Sequence, residues 1–407
     1  MHRFTNYQKA VFHLIHAIPK TDRKVFDDSA TIEKNFKIMR SLGDPQNRHS
    51  AVHVAGTSGK GTICYLVDAI LRAHTKRTGM IQSPHVYDIR ERIQTNGQLI
   101  SERLFVRALN QVLQKTSEAN LEVSYFETLT AMGFYTIGNS PVDYQIIETG
   151  LGGRLDCTNV IDKAKKLCIL GQIGFDHTEA LGETLEKIAA EKAGIIQPGN
   201  HVVALRQDDR VNGVFEKRCQ QQGATLVWIE QAEDYQKTND RLAITACQIL
   251  AELGGWQLEN NLVESVLQQI FIPGRFEKRR FKDHLCVLDG AHNAQKLTAV
   301  AKRLQYEDKA PVSIVLALGD RKDMQDCLHA LKPVAARIIA TEYFTKQQDI
   351  PRRPTPADDI TNMCRELGIE ARSEPSPDKA LAAAALQKEP ILITGSFYLL
   401  GEVDKLF

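Results

Sequence analysis

The sequence has no long hydrophobic run and no excess of charge of either sign. No stretch reaches the roughly 20 apolar residues that a membrane-spanning helix requires. Basic and acidic residues nearly cancel, and the formal net charge is +1 at pH 7. The chain therefore has no overall electrostatic field that attracts nucleic acid or an anionic membrane, and we expect neither kind of partner.

Cysteine pairs with metal-binding spacing are also missing. The eight cysteines are scattered and form no C-x-x-C pair, which argues against a zinc site and against a disulfide framework. Residues 1–6 lack the apolar core of a secretory signal. Together with the lack of internal repeats, these absences predict a globular cytoplasmic protein with reduced, buried thiols.

What the chain does contain is an alternation of strand-like and helix-like segments over most of its 407 residues. This length exceeds what one hydrophobic core usually holds, and the alternation predicts an α/β fold with mostly parallel sheets. The breaker-rich residues 272–276 predict a domain boundary. We expect a P-loop ATPase-type domain with a mostly parallel sheet over residues 1–276 and a smaller, Rossmann-like α/β domain over residues 277–407.

Residues 51–62, Ala-Val-His-Val-Ala-Gly-Thr-Ser-Gly-Lys-Gly-Thr, predict a buried strand, a glycine-rich loop and the start of a helix. Such a loop lets backbone N–H groups and the helix N-terminus face a phosphate. Lys60 could reach the β- and γ-phosphates, and the Thr62 hydroxyl could meet Mg²⁺. The first glycine of a strict Walker motif is missing, and Gly61 separates Lys60 from Thr62. Nucleotide binding is nevertheless favoured over an ordinary strand-to-helix turn.

Polar side chains follow two further predicted strands. Glu148 ends the strand over residues 143–148, and His177 follows the strand over residues 167–173. The carboxyl ends of parallel strands share one edge of a sheet, where ligands bind. Mg²⁺ on a nucleotide takes few protein ligands. A lone buried histidine is more often structural, but its place beside Glu148 and a phosphate loop favours a metal site.

Two other places in the chain carry candidate chemistry. In the second predicted domain, Asp289 ends a strand and His292 follows it in the sequence Asp-Gly-Ala-His-Asn, while Ser396 follows the last predicted strand. In the first, Lys192 lies on a helix predicted over residues 182–192. The simplest interpretation of that helix is a solvated charged face on which acidic neighbours neutralise Lys192.

A set of motifs along the chain, taken together, resembles one family. The motifs in chain order are Ala-Gly-Thr-Ser-Gly-Lys-Gly-Thr at 55–62, Ser-Pro-His at 83–85, Glu-Thr-Gly-Leu-Gly-Gly-Arg-Leu-Asp-Cys-Thr-Asn at 148–159, Asp-His-Thr at 176–178, Glu-Lys-Ala-Gly at 191–194, Pro-Gly-Arg at 273–275, Asp-Gly-Ala-His-Asn at 289–293 and Gly-Ser-Phe at 395–397. The chain resembles the folylpolyglutamate synthase and dihydrofolate synthase family, which belongs with the Mur ligases. Each motif is weak alone, but their order over nearly the whole chain is specific.

The resemblance implies an ATP-dependent ligase that uses Mg²⁺. ATP would phosphorylate a carboxylate of dihydropteroate or a folate, and the amine of L-glutamate would then attack the acyl phosphate. Domain closure should exclude water from this labile intermediate. We further expect a monomer.

The resemblance also implies roles for individual residues. The residues matching contacts to ATP are Gly56, Thr57, Gly59, Lys60, Gly61, Thr62, Asn239, Arg275 and Asp289. The residues matching Mg²⁺ ligands are Ser83, Glu148 and His177. The residues matching contacts to the pterin substrate are Ser124, Tyr125, Phe126, Glu127, Leu155, Asp156 and Cys157. The residues matching positions near the incoming glutamate are Asp289, His292 and Ser396. The residues implied in catalysis are Lys60, Lys192, which would be carbamylated, Asp289 and His292.

The sequence departs from the family pattern in the amino-terminal signature, where residues 31–34 read Thr-Ile-Glu-Lys and lack its glycine and arginine. The segment between residues 229 and 239 is short, Ala294 replaces a usual proline, and Cys157 stands where alanine is common. Two other functions stay open: a Mur-type ligase acting on a cell-wall nucleotide precursor, and a nucleotide-dependent switch without ligase activity.

Overall fold

The computed structural model describes residues 4–19, 29–161, 166–320, 323–344 and 353–407. Residues 1–3 of the amino-terminal segment considered above lie outside this description. The chain forms two compact units. The first comprises Met1–Pro84 and Arg90–Ile270, and the second comprises His85–Ile89 and Phe271–Phe407.

The first unit contains an eight-stranded sheet. Its strands are β1 (Ser50–Ala55), β2 (Thr78–Ile81), β3 (Ile93–Thr95), β4 (Gln98–Leu99), β5 (Tyr144–Glu148), β6 (Lys166–Leu170), β7 (His201–Leu205) and β8 (Thr225–Ile229). They are ordered β4-β3-β2-β5-β1-β6-β7-β8. All pairs from β2 to β8 in this order are parallel, whereas β3 and β4 pair antiparallel at one edge. The predicted mostly parallel sheet is confirmed.

The helices of the first unit pack against this sheet or extend from it. They are α1 (Tyr7–His16), α2 (Ser29–Ser41), α3 (Lys60–Ala73), α4 (Glu102–Glu118), α5 (Tyr125–Gly138), α6 (Thr178–Leu181), α7 (Leu185–Ala193), α8 (Asp209–Gln222), α9 (Tyr235–Gly254) and α10 (Asn260–Gln269). One hydrophobic cluster joins α3 and α9 to the central strands, and another joins α7 and α8 to β6 and β7. Apolar strands buried on both faces are typical of parallel sheets covered by helices.

The helix predicted over residues 182–192 is present as α7, which begins at Leu185 and ends at Ala193. The separate short helix α6 ends at Leu181, and a break divides the two. Gly182 lies in the break with φ of +96°, a left-handed value that favours glycine. Thr184 then caps α7, because its side chain accepts a hydrogen bond from the backbone N–H of Lys187.

The second unit contains a six-stranded sheet with the order β13-β12-β11-β14-β10-β9. Its strands are β9 (Glu277–Phe281), β10 (His284–Asp289), β11 (Val312–Leu316), β12 (Ala335–Ala340), β13 (Ala371–Ser373) and β14 (Ile391–Thr394). Its helices are α11 (Ala294–Tyr306), α12 (Met324–Leu331), α13 (Ala357–Glu366), α14 (Pro377–Ala384) and α15 (Phe397–Val403). All strand pairs are parallel except that of β9 with β10. Strand β9 was not predicted, because its charged sequence, Glu-Lys-Arg-Arg-Phe, suits an edge strand and contains no hydrophobic run.

All eight cysteines lie within the described residues, and every one is buried and free of disulfide bonds. Burial raises the pKa of the thiols of Cys168, Cys219, Cys286 and Cys364 to about 11. Among the helices of the described chain, none is long and apolar enough to cross a membrane.

Candidate active site

The glycine-rich loop connects β1 to α3, as the sequence predicts. Lys60 is the first residue of α3, and its Nζ atom donates a hydrogen bond to the Gly56 carbonyl oxygen at 3.0 Å. The ammonium group therefore lies against the loop and not in the core. Thr62 is buried in the first turn of the same helix. This arrangement places a cation and a helix N-terminus at one point, which suits the binding of phosphates.

The first turns of α9 line the same loop. Gly59 has φ of +84°, and a Cβ atom placed there would lie 2.6 Å from Asn239 Oδ1 and 2.7 Å from Tyr235 Oη. Only glycine fits a position this close to two side chains. Asn239 is 3 % exposed, and its Nδ2 atom finds no hydrogen-bond partner among the described residues. A buried donor without a protein acceptor beside a phosphate loop fits a nucleotide as its missing partner.

The Thr57 side chain joins the loop to the segment that follows β6. Its hydroxyl donates to the Gly174 carbonyl oxygen at 3.0 Å and accepts from the Gly174 N–H at 3.1 Å. The Thr57 N–H also donates to the Gln172 carbonyl oxygen at 2.8 Å. These bonds fix the phosphate loop relative to residues 172–174. This second role of Thr57 was not predicted from the sequence.

Two of the predicted metal ligands are in direct contact. The Ser83 N–H donates to Glu148 Oε2 at 3.0 Å, and Glu148 is buried at the carboxyl end of β5. His177 begins α6 in a left-handed conformation with φ of +54°, and its Nε2 atom lies 3.9 Å from Asp176 Oδ1. Its side chain is one-quarter exposed.

No group of three or more histidine, cysteine, aspartate or glutamate side chains within the described residues could by itself hold a metal ion. This donor set fits Mg²⁺ that is bound largely through phosphate oxygens and water, because such a site needs only one or two carboxylates from the protein. It does not fit a closed protein cage such as a structural zinc site.

The first group of predicted pterin contacts lies at the N-terminus of α5. Ser124 caps α5, and a capping box forms because the Glu127 carboxylate accepts from the Ser124 N–H at 2.8 Å. Glu127 Oε2 also pairs with Lys34 Nζ at 2.9 Å. Lys34 stands where the family signature has arginine, so this position of the altered signature still provides a cation at the helix start. Tyr125 is fully buried, and the Phe126 ring packs against Gly150.

The buried Asp156 carboxylate forms hydrogen bonds with other residues of the second predicted pterin segment. Its carboxylate accepts from the N–H groups of Leu151 at 2.8 Å and Thr158 at 2.9 Å and from the Thr158 hydroxyl. Burial raises the pKa of Asp156, although these hydrogen bonds oppose that shift. Leu155 and Cys157 are also buried, and Cys157 Sγ donates to Thr130 Oγ1 at 3.2 Å.

A buried histidine of the sheet joins this hydrogen-bond network. His53 on β1 has its Nε2 atom 2.9 Å from Thr158 Oγ1 and 3.2 Å from Thr149 Oγ1. Burial is the main cause that lowers the pKa of His53 well below its usual value, so the ring is neutral near pH 7. These contacts therefore tie β1 to the glycine-rich segment over residues 149–158.

Lys192 does not lie on a solvated face, so that interpretation of its helix is wrong. Its side chain is 4 % exposed at the end of α7. Its acidic neighbours interact with other cations: Glu191 binds Arg154 at 2.8 Å, and Glu186 lies 3.9 Å from Arg210. Burial of the Lys192 side chain is a condition that the carbamylation hypothesis requires.

In the second unit, Asp289 holds the segment that enters β9. One carboxylate oxygen accepts from the Phe276 N–H and the other from the Ala291 N–H, both at 2.8 Å. Burial raises the pKa of Asp289, while the positive charge of Arg275 and the two backbone bonds oppose the shift. The Arg275 guanidinium stacks on the Phe397 ring with its carbon 4.2 Å from the ring centre.

His292 lies beside Phe397 and is held by two hydrogen bonds. Its Nδ1 atom is 2.8 Å from the Gly290 carbonyl oxygen, and its Nε2 atom is 3.1 Å from Lys296 Nζ. A charged lysine has only donors, so Nε2 accepts this bond and Nδ1 carries the ring proton. Ser396 is buried and caps α15. Lys296 was not predicted as a site residue, although its spacing of four residues from His292 on a helix could have indicated the contact.

Comparisons with known proteins agree with this fold and site. Residues 275–406 match the family described as dihydrofolate synthetase, C-terminal domain. The chain is 30 % identical over 408 residues to a probable dihydrofolate synthetase of Schizosaccharomyces pombe, covering 91 % of this chain and 97 % of that protein. It is 27 % identical over 435 residues to a dihydrofolate synthase/folylpolyglutamate synthase of Mycobacterium tuberculosis, covering 91 % and 88 %.

A solved structure, the M. tuberculosis folylpolyglutamate synthase complexed with ADP, superposes with a TM-score of 0.85. The two chains are 26 % identical, and the match covers 98 % of this chain and 99 % of that one. The fold and the phosphate loop thus define an ATP-dependent ligase that uses a divalent metal ion. The chain belongs to the dihydrofolate synthase/folylpolyglutamate synthase family, and the Mur-type ligase and the non-catalytic switch are set aside.

Proposed function

We propose that this protein joins L-glutamate to dihydropteroate in an ATP-dependent reaction, acting first of all as a dihydrofolate synthase. The phosphate loop with the buried, unpartnered Nδ2 atom of Asn239 is the observation that supports nucleotide use. The matches to proteins named dihydrofolate synthetase support dihydropteroate as acceptor. We further propose that the protein is a cytoplasmic monomer.

In the first step, this chain positions the phosphates and neutralises their charge. Lys60 and the N–H groups at the start of α3 would hold the transferred phosphoryl group, because phosphoryl transfer depends mainly on alignment and electrostatic stabilisation. Ser83, Glu148 and His177 would hold Mg²⁺, which supplies further positive charge to the phosphate oxygens. Asn239 and Arg275 would contact the rest of the nucleotide.

In the second step, the ammonium group of glutamate must lose a proton before its nitrogen attacks the acyl phosphate. We assign this proton to Nε2 of His292, since the other ring nitrogen, Nδ1, is fixed on the Gly290 carbonyl oxygen. Lys296 would then bind a carboxylate of glutamate. Asp289 supports this step by holding Ala291, one residue before His292.

The acceptor is identified by product mass. The purified protein is incubated with ATP, Mg²⁺, labelled L-glutamate and either dihydropteroate or tetrahydrofolate. We expect a product one glutamate heavier than dihydropteroate, formed together with inorganic phosphate. Product from tetrahydrofolate alone would contradict the proposed acceptor, and phosphate release that does not depend on glutamate would contradict ligation.

Glu148→Gln and His177→Ala should each raise the Mg²⁺ concentration needed for half-maximal activity by at least about tenfold, because each removes a ligand donor. Glutamine at position 148 can still accept the Ser83 N–H bond, so the substitution tests the charge of Glu148. Activity titrated against Mg²⁺ at saturating ATP gives the midpoint.

The matched control for Glu148 is Asp143→Asn, which removes a half-exposed carboxylate that pairs with Arg77 just before β5. His201→Ala at the start of β7 serves the same purpose for His177. These controls should keep the normal midpoint. If Glu148→Gln and His177→Ala also keep it, the two residues have structural roles only.

A further inference from the structure

Residues 85–89 belong to the second unit, although the chain on both sides belongs to the first. Val86 and Tyr87 pack against the hydrophobic cluster formed by β10, β14 and α15. The contact is close: Cβ atoms placed at Gly274 and Gly401 would lie 3.2 Å from Val86 Cγ1 and 2.6 Å from the Val86 carbonyl oxygen. This short segment is therefore built into the second unit.

A buried carboxylate holds the segment in place. The Tyr87 hydroxyl donates to Glu277 Oε2 at 2.6 Å, and the Glu277 side chain is 1 % exposed. Arg279 pairs with the other Glu277 oxygen and places its guanidinium carbon 4.6 Å from the centre of the Tyr87 ring. Arg279 also binds Asp404 at 2.6 Å. Burial and the Glu277 carboxylate raise the pKa of Tyr87, so its hydroxyl stays protonated as a donor.

The same Glu277 oxygen holds a second segment. It accepts a hydrogen bond from the Gly274 N–H at 2.8 Å. Gly274 directly precedes Arg275, whose guanidinium stacks on Phe397. One atom of Glu277 therefore binds both the segment that follows Ser83 and the segment that carries Arg275.

We propose that Tyr87 and Glu277 are positioning residues for the nucleotide, acting through Arg275. The inference rests on the proposed function only in giving Arg275 a contact to the nucleotide. The Glu277 carboxylate binds the Gly274 N–H and is itself held by the Tyr87 hydroxyl, so that Arg275 is ordered before the ligand arrives. Such preorganisation lowers the entropy that binding costs.

The test is Tyr87→Phe, which removes the hydroxyl and keeps the ring on Val86 and Arg279. Binding of a non-hydrolysable ATP analogue is measured by calorimetry over a range of Mg²⁺ concentrations. We expect affinity in saturating Mg²⁺ to fall about tenfold, which corresponds to about 1.4 kcal/mol. The KM values for dihydropteroate and glutamate should stay normal.

The matched control is Tyr144→Phe, which removes a buried hydroxyl that accepts from Trp256 Nε1 at 3.0 Å at the start of β5. This variant should bind the nucleotide normally, even if its thermal unfolding midpoint falls as far as that of Tyr87→Phe. Glu277→Gln should weaken nucleotide binding at least as much as Tyr87→Phe. The double variant should be no weaker than Glu277→Gln alone, because the single carbonyl oxygen of glutamine cannot accept from both Arg279 and Tyr87, and both changes therefore weaken the same contact.

Normal Mg²⁺-dependent nucleotide binding in Tyr87→Phe would overturn the proposal. Effects of Tyr87→Phe and Glu277→Gln that simply add would also overturn it. Because calorimetry measures binding without turnover, these outcomes are independent of whether dihydropteroate is the acceptor.

Discussion

Lys60→Ala should lose ligase activity by about 100-fold or more while the protein remains folded. Phosphoryl transfer depends on positive charge placed where negative charge develops, and removing one such group typically costs a factor of this size. The Lys60 ammonium lies on the loop, with its Nζ atom on the Gly56 carbonyl oxygen, so its loss leaves no cavity in the core. Steady-state phosphate release with saturating substrates measures the effect.

The control for this variant is Lys115→Ala. Lys115 is a partly exposed helix lysine of the same unit and pairs with Glu118, so its loss should leave the rate unchanged. Thermal unfolding of both variants verifies the fold. A well-folded Lys60→Ala protein with full activity would show that the glycine-rich loop is an ordinary turn.

Lys192→Ala should lose most of its activity, and acetate should restore part of it. In the carbamylation hypothesis, the neutral lysine amine attacks CO₂, loses a proton and becomes a carbamate anion that faces the metal site. Burial of Lys192 favours the neutral amine that this reaction needs. Alanine leaves space for a small carboxylate that supplies the missing negative charge.

Rates of Lys192→Ala are measured with and without acetate, and the wild-type protein is examined by ¹³C NMR after exposure to labelled CO₂. Lys187→Ala is the matched control, because Lys187 lies exposed on the same helix and should be dispensable. Normal turnover in Lys192→Ala would rule out a role for the carbamate. A wild-type spectrum without a carbamate signal would do so as well.

The sequence predicted those parts of the site that depend on local chemistry. Glycines beside Lys60, and a carboxylate at the end of β5, indicate a phosphate loop and a metal ligand because the backbone pattern and the side-chain type are both visible in one short segment. These features need no knowledge of distant contacts.

Features that depend on distant contacts were not predictable in this way. The Tyr87 and Glu277 side chains are separated by 190 positions in the chain, and no local pattern connects them. Lys192 is buried, although the other charged residues of its helix are more exposed, so the charge pattern of the helix was misleading. The strand β9 was missed because exposed edge strands do not require hydrophobic residues.

Because every cysteine thiol is buried, the rate at which each thiol is alkylated reports how often the structure around it opens. A buried cysteine with a raised pKa reacts only when its surroundings open. Seven of the eight cysteines lie in separate hydrophobic clusters: Cys64 and Cys247 lie with α3 and α9, Cys168 and Cys219 with α7 and α8, Cys327 and Cys364 with α12 and α13, and Cys286 with α15. Reaction rates read peptide by peptide would therefore give an opening free energy for each cluster of the native protein, without any substitution.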